Sequence, residues 1–224
     1  AVESFIKTGS PISSGWLFEN YKFGIKPAMI RHELEGLTDE GFLDQPYHSA
    51  GRIPSDRGYE YFVSQILTQP FESNLNLQIE KFFSQGNWPE FLDIFSSQLG
   101  LLGVVEPKRE NRLYKSGLEN LIEGLDFESR KELKSIIHDF ENLDSRLEGF
   151  KEKIFKDGQI QIFIGRKSPV TQSPELSLVA EKYWVDGEEV LLMAIGPKRM
   201  NYKKVVKTFK GIKESNQKRK SYKY

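Results

Sequence analysis

Apolar positions at the start of the chain recur at helical spacing and are cut by short turn signals. Val2, Phe5 and Ile6 lie on one face and stop at Thr8-Gly9. Ser13 or Ser14 can cap a second helix through Trp16, Leu17 and Phe18 to Tyr21. Phe23-Gly24-Ile25 reads as a turn, and Pro27 suits a first helical position because its missing N–H costs nothing there. Ile30, Leu34 and Leu37, at i, i+4 and i+7, predict a third helix with one inward stripe, closed by Gly41. A short strand over Phe42–Gln45, a hairpin tip from Pro46 and a returning strand at Ile53 follow. Ser55 or Asp56 then caps a helix carrying Tyr59, Phe62, Val63, Ile66 and Leu67. Three helices followed by a β-hairpin is the order of a winged helix-turn-helix.

The pattern changes after residue 68. Residues 68–75 (TQPFESNL) read as a linker, placed at 69–75 between a first domain, 1–68, and a second, 76–214. LNLQIEKFFSQ and PEFLDIFSSQL have helical periodicity, LLGVV (101–105) that of a buried strand, and EPKRENR (106–112) that of a charged loop. One helix is expected from about Leu113 to Leu125. A longer one, over about 126–155, carries Phe127, Leu133, Ile136, Ile137, Phe140, Leu143, Leu147 and Phe150. Strands are expected at 160–165, 176–185 and 189–196, with Asp186-Gly187 as a hairpin turn between the last two. A final helix over about 201–213 turns Val205, Val206 and Phe209 inward and leads into a basic tail, 215–224. The fold class is α+β.

Composition narrows the chemistry. The 224 residues contain no cysteine, so thiol chemistry and cysteine-ligated metals are excluded. Mean hydropathy is −0.51, and no apolar run reaches the roughly 20 residues that span a bilayer, so a cytoplasmic protein without a membrane partner is expected. The chain starts inside an apolar-periodic stretch without an initiator methionine, and the reading is that its natural beginning lies upstream. The three histidines (His32, His48, His138) form no triad or paired-ligand spacing, and no phosphate-cradling glycine loop follows a strand. Neither catalysis nor a cofactor is expected.

A net charge of zero conceals an asymmetry. Residues 1–68 carry six Lys/Arg against nine Asp/Glu, a net of −3, and residues 197–224 carry eleven against Glu214 alone, a net of +10. The basic end is either a solubilising segment or an arm that attracts phosphates. An acidic reader has little counterion-release drive of its own, so a partner subunit or the basic end has to contribute affinity.

Two stretches resemble the heat-inducible repressor HrcA family. Residues 26–63, KPAMIRHELEGLTDEGFLDQPYHSAGRIPSDRGYEYFV, are similar to that family's recognition helix and wing, with SAGRIPSDRGY (49–59) especially close. IGPKRMNYKKVV (195–206) resembles its closing signature, SPELSLVAEKYWVDGEEV (173–190) the hairpin before it, and YKSGLENLI (114–122) a third segment. The resemblance implies a reduced GAF-like second domain, repression of chaperone genes, and a homodimer on inverted-repeat double-stranded DNA. It also implies the chaperonin GroEL as a partner. Family members are longer, with a further stretch near 106–112 associated with dimer formation. Met29 stands where they carry Thr, His32 where they carry Asn, and Tyr47-His48 replaces a His-Thr pair.

On this reading the DNA-facing residues are Lys26, Ala28, Met29, Arg31 and His32 at the start of the third helix, with Ser49, Gly51 and Arg52 in the wing. Met29 can contact a thymine methyl, and His32 can donate to purine N7 or O6. Arg31 reaches a phosphate or a guanine. Arg52 suits a phosphate or the minor-groove wall, or is simply the exposed end of a tight turn. Ser13 and Ser14 either hold a phosphate or act only as caps. A protein-interaction module that no longer reads an operator, or a ligand-responsive regulator, remains the alternative.

Overall fold

The computed structural model describes residues 1–70, 75–110, 112–125, 130–154 and 158–222. The chain divides into two compact units, residues 1–68 with 199–201 and residues 69–198 with 202–224.

In the first unit, α1 (Val2–Thr8) ends where Gly9 turns left-handed at φ 66° and returns its N–H to the Phe5 carbonyl. α2 (Ser14–Asn20) is capped by Ser13, whose hydroxyl accepts the Trp16 N–H at 3.0 Å. α3 (Pro27–Asp39) has Pro27 in its first turn, as the sequence predicts. The strands β1 (Leu43–Asp44) and β2 (Ile53–Pro54) pair antiparallel, Leu43 with Pro54 and Asp44 with Ile53. The Ser55 hydroxyl then donates to the Gly41 carbonyl at 2.6 Å and accepts the Gly58 N–H at 3.1 Å, starting α4 (Asp56–Thr68).

Ile12, Leu17, Ile30, Leu34 and Leu43 form the core of this unit, with Phe5, Trp16 and Ile25 packed around it. Leu37 departs from expectation. It is 39% exposed, because the chain turns away at Glu40–Gly41 and leaves the last turn of α3 over an open groove with Phe42, Tyr61 and Phe62.

The second unit begins with α5 (Leu77–Ser84) and α6 (Trp88–Leu99). Its sheet comprises β3 (Leu102–Pro107), β4 (Tyr114–Ser116), β5 (Gln161–Ile164), β6 (Leu176–Val185) and β7 (Glu188–Pro197) in the order β4-β3-β7-β6-β5, antiparallel throughout. Between β4 and β5 lie α7 (Leu118–Glu123), α8 (Arg130–Glu141) and α9 (Leu143–Ile154), and α10 (Tyr202–Tyr222) closes the chain. β6 and β7 pair over ten residues each, from Leu176↔Pro197 to Val185↔Glu188. Asp186 and Gly187, at φ 47° and 79°, make the two-residue turn whose twist matches that hairpin.

Both faces of the central strands β3 and β7 are buried along most of their length, which is why β7 reads as a nearly continuous apolar run after its first two residues. Leu102, Val104, Leu178, Ala180, Leu191 and Met193 pack with Leu121, Ile136, Leu143 and Leu147 from α7, α8 and α9. On the opposite face Ser96 of α6 donates to the Ser116 carbonyl at 2.8 Å, while its oxygen accepts the Gly103 N–H at 3.1 Å. A Cβ on Gly103 would stand 2.6 Å from that oxygen, so only glycine lets α6 lie this close. From α10, the Tyr202 hydroxyl donates to Ser177 Oγ at 2.9 Å, and the Phe209 ring meets Phe95.

Several sequence expectations change here. The expected helix over Leu113–Leu125 is a strand followed by a six-residue helix, because Tyr114–Ser116 pairs with β3 before Gly117 turns at φ 91°. The charged loop is shorter than expected, since β3 runs through Glu106 and Pro107. The long helix is two helices. They separate at Asn142, whose amide folds back to the His138 carbonyl at 2.8 Å. Phe127 and the Phe150 side chain lie outside the described residues. Among the described residues the basic end continues α10, as far as Tyr222. Among the described residues, no helix is long and apolar enough to cross a membrane.

Candidate nucleic-acid interface

The predicted residues fall on two adjoining surfaces of the first unit. One is the outward side of the first turns of α3. Lys26 occupies the N-cap, its side chain making no capping bond, and Ala28, Met29, Arg31 and His32 are all exposed, Met29 at 55%. Ala28, Met29 and His32 fall within roughly 100° of the helix circumference. Ile30 and Leu34, on the opposite side, fix the rotation of the helix by their burial.

The other surface is a cleft of about 420 Å³ between the Ile12–Ser14 segment, α3 and the hairpin. It brings together Arg31, Ser49, Gly51 and Arg52 from the sequence reading, with Ser13, Ser14 and His48 beside them. Lys26, Ala28, Met29 and His32 do not line it. Glu35 does, so one carboxylate faces the two guanidinium groups in the same space.

Arg52 is held on both its backbone and its side chain. Its N–H donates to the Ile12 carbonyl at 2.8 Å and its carbonyl accepts the Ile12 N–H at 2.9 Å, an isolated antiparallel bridge beside the hairpin. Its side chain is half-buried, Nε donating to Thr38 Oγ1 at 2.9 Å. The guanidinium therefore forms a fixed wall of the cleft rather than the tip of a swinging arm. Gly51 has the matching geometric reason, since a Cβ there would lie 2.6 Å from the Ile12 carbonyl carbon.

Sequence reasoning missed two contributors. Gln45 Nε2 donates to the His48 carbonyl at 2.8 Å and to Ala50 O at 3.1 Å, shaping the hairpin tip from within. Thr38 orients Arg52 while donating its own proton to the Leu34 carbonyl at 2.8 Å. Neither is visible in a hydrophobic pattern, because both act through side-chain hydrogen bonds. A surface that joins two fixed or exposed cations, hydroxyls and a helix face can hold a phosphodiester chain and probe adjacent bases.

The α+β fold is similar to that of a solved protein described as "Crystal structure of a hypothetical protein at 2.2 A resolution". That structure covers 97% of this chain and 93% of its own at a TM-score of 0.69, with 16% identity. Residues 64–206, more than half of the sequence, match the family described as "HrcA protein C terminal domain", and the chain belongs to the HrcA family. Relatives carrying the name heat-inducible transcription repressor HrcA include one from Natranaerobius thermophilus, 46% identical over 68 residues. Another, from Bifidobacterium animalis subsp. lactis, is 48% identical over 67 residues. Each alignment spans 30% of this chain but only 20% and 18% of those proteins, respectively.

Proposed function

We propose that this chain is a DNA-binding transcriptional repressor of heat-shock and chaperone genes, acting in the cytoplasm. In this reading residues 1–68 are a winged helix-turn-helix, α3 is the recognition helix and the hairpin is the wing. Residues 69–75 link it to a GAF-like regulatory and dimerisation domain, 76–214. The observation that carries the reading is the cleft in which Arg31, Ser49 and Arg52 converge beside the exposed first turns of α3, in a chain of the HrcA family. Arg31 and Arg52 take the phosphate backbone, Lys26 a neighbouring phosphate, and Ala28 and Met29 supply apolar contact to thymine methyl groups. His32 donates to a purine edge in the major groove. A homodimer would read an inverted repeat by its own two-fold symmetry. The chaperonin GroEL as a partner follows from the family resemblance.

Rounds of selection from a random duplex pool, followed by titration of the winning and scrambled duplexes at two salt concentrations, test this. The expected outcome is an enriched inverted repeat bound at least about a thousandfold more tightly than its scrambled form. Equal affinities would overturn it. A second reading, a protein-interaction module, is favoured by the open apolar groove of about 590 Å³ beside Leu37, Phe42 and Tyr61. It predicts no enrichment of any duplex.

A further inference from the structure

We propose that α10 is a sequence-independent phosphate-binding surface for double-stranded DNA. The proposal rests on the reading that this chain binds duplex DNA and assigns the electrostatic part of that affinity to a different element. α10 buries Tyr202, Val205, Val206, Phe209 and Ile212 against its own unit and then continues ten residues, to Tyr222. From Tyr202 to Tyr222 it holds eight Lys/Arg and one acid, Glu214.

Three of these cations are bonded within the unit. Lys204 donates to the Gln98 carbonyl, Lys210 to Gln69 O at 3.0 Å, and Lys213 to Gly158 O at 2.5 Å, with Glu181 3.1 Å from the Lys213 ammonium. That set ties the helix to its unit. Lys203, Lys207 and Lys218 fall within roughly 60° of one another on the helix, along a stripe roughly 22 Å long. Lys218 is exposed, and Lys203 and Lys207 are half-exposed. Duplex DNA presents about a dozen phosphates over that length.

The charge balance of the chain gives this stripe its role. Residues 1–68 carry a net charge of −3, so the proposed reading surface gains little from releasing counterions, whereas residues 197–224 carry +10. Burial of the apolar face selects the partner. A helix that lies on a lipid surface inserts its apolar side, and in α10 that side is already packed in the protein. What remains outward is polar and cationic, which fits a phosphodiester backbone.

The test uses the full chain and a scrambled duplex, with binding followed by fluorescence anisotropy from 0.05 to 0.3 M salt as an order-of-magnitude range. In the triple variant Lys203→Gln, Lys207→Gln, Lys218→Gln the slope of log affinity against log salt is expected to shrink by about 0.9 per lost contact. Affinity at 0.1 M salt should fall about eightfold for each. The ratio of selected to scrambled affinity should not move. Glu214→Lys, which adds a cation to the same helix, is expected to steepen the slope by about 0.9 and keeps the test decisive if the triple variant misfolds. Unchanged slopes in the folded variants would overturn the proposal. So would triple-variant-sensitive binding to phosphatidylserine vesicles alongside an unaltered duplex slope. Equal affinities for selected and scrambled duplexes, with the slope still sensitive to these lysines, would instead strike the operator-reading proposal and leave this one standing.

Discussion

The guanidinium Nε of Arg52 donates to the hydroxyl of Thr38 at 2.9 Å, joining the returning arm of the hairpin to the last turn of α3. The Thr38 proton goes to the Leu34 carbonyl at 2.8 Å, so one hydroxyl both donates into α3 and accepts from Arg52. Thr38→Val keeps the shape and removes both bonds. The expected stability loss is about 1–3 kcal/mol, since each of the two hydrogen bonds contributes about 0.5–1.5 kcal/mol net. Duplex affinity should fall more than stability does, because the guanidinium loses its fixed position. Parallel thermal melts and titrations check this.

Gly51→Ala probes the same region through backbone contact. A Cβ would stand 2.6 to 2.8 Å from three backbone atoms of Ile12, so the Ile12–Arg52 bridge must open. A loss of about 1–3 kcal/mol is expected, the range for overpacking a closely fitted site. Hydrogen exchange should lose protection at the amides of Ile12 and Arg52 while those of β6 and β7 keep theirs.

Asp139 organises the second unit. Its carboxylate accepts the N–H of Gln172 at 2.9 and 3.0 Å and that of Ser173 at 2.9 Å, and it pairs with Arg146. Asp139 is 3% exposed, so α8, α9 and the segment before β6 meet at a buried charge. Asp139→Asn leaves Arg146 without its anion and is expected to cost about 3 kcal/mol. A urea titration should show a lower midpoint with an unchanged slope.

Glu181 predicts a pH dependence. Burial of its carboxyl raises its pKa above the ordinary 4.5, a shift only partly opposed by the Tyr183 hydroxyl, which donates at 2.7 Å, and the Lys213 ammonium at 3.1 Å. The folded state therefore holds this proton more tightly than the unfolded chain. The stabilisation is fully present below the unfolded value and is lost as pH rises through the folded one. Glu181→Gln should remove that fall, leaving a flatter stability profile above pH 4.5. Denaturant titrations of the two proteins across this range check it; parallel profiles would contradict the assignment.

Much of this architecture was legible where local rules act alone. Pro27 and the Asp186-Gly187 turn each fix a boundary through their own backbone chemistry, and the sequence places both correctly, while for the start of α2 it offers Ser13 or Ser14, of which Ser13 is the cap. It failed where pairing across the sheet decides. Tyr114–Ser116 lies next to a helical pattern and becomes a strand only because β3 offers it a free edge. Leu37 has the correct spacing for burial, yet the turn after α3 removes the surface that would cover it. In the candidate interface the exposed residues of α3 follow from periodicity. The restraint of Arg52 does not, since Thr38 and Ile12 stand 14 and 40 positions away in sequence.

The turn after β3 is clasped to the turn between β6 and β7. The Lys108 N–H donates to the Glu189 carbonyl at 2.9 Å, the Arg109 N–H to Glu188 Oε1 at 2.8 Å, and the Arg109 guanidinium to Gly187 O at 3.1 Å. Both β3 and β4 are already in register before and after this point, with Val105 opposite Tyr114. Extra chain inserted here would leave from and return to one end of the sheet without shifting any strand pair. The entropy cost of such a loop grows only with the logarithm of its length, by about 0.6 kcal/mol per doubling. This end of the sheet is thus a place where chain length can be added while the paired strands beneath stay the same.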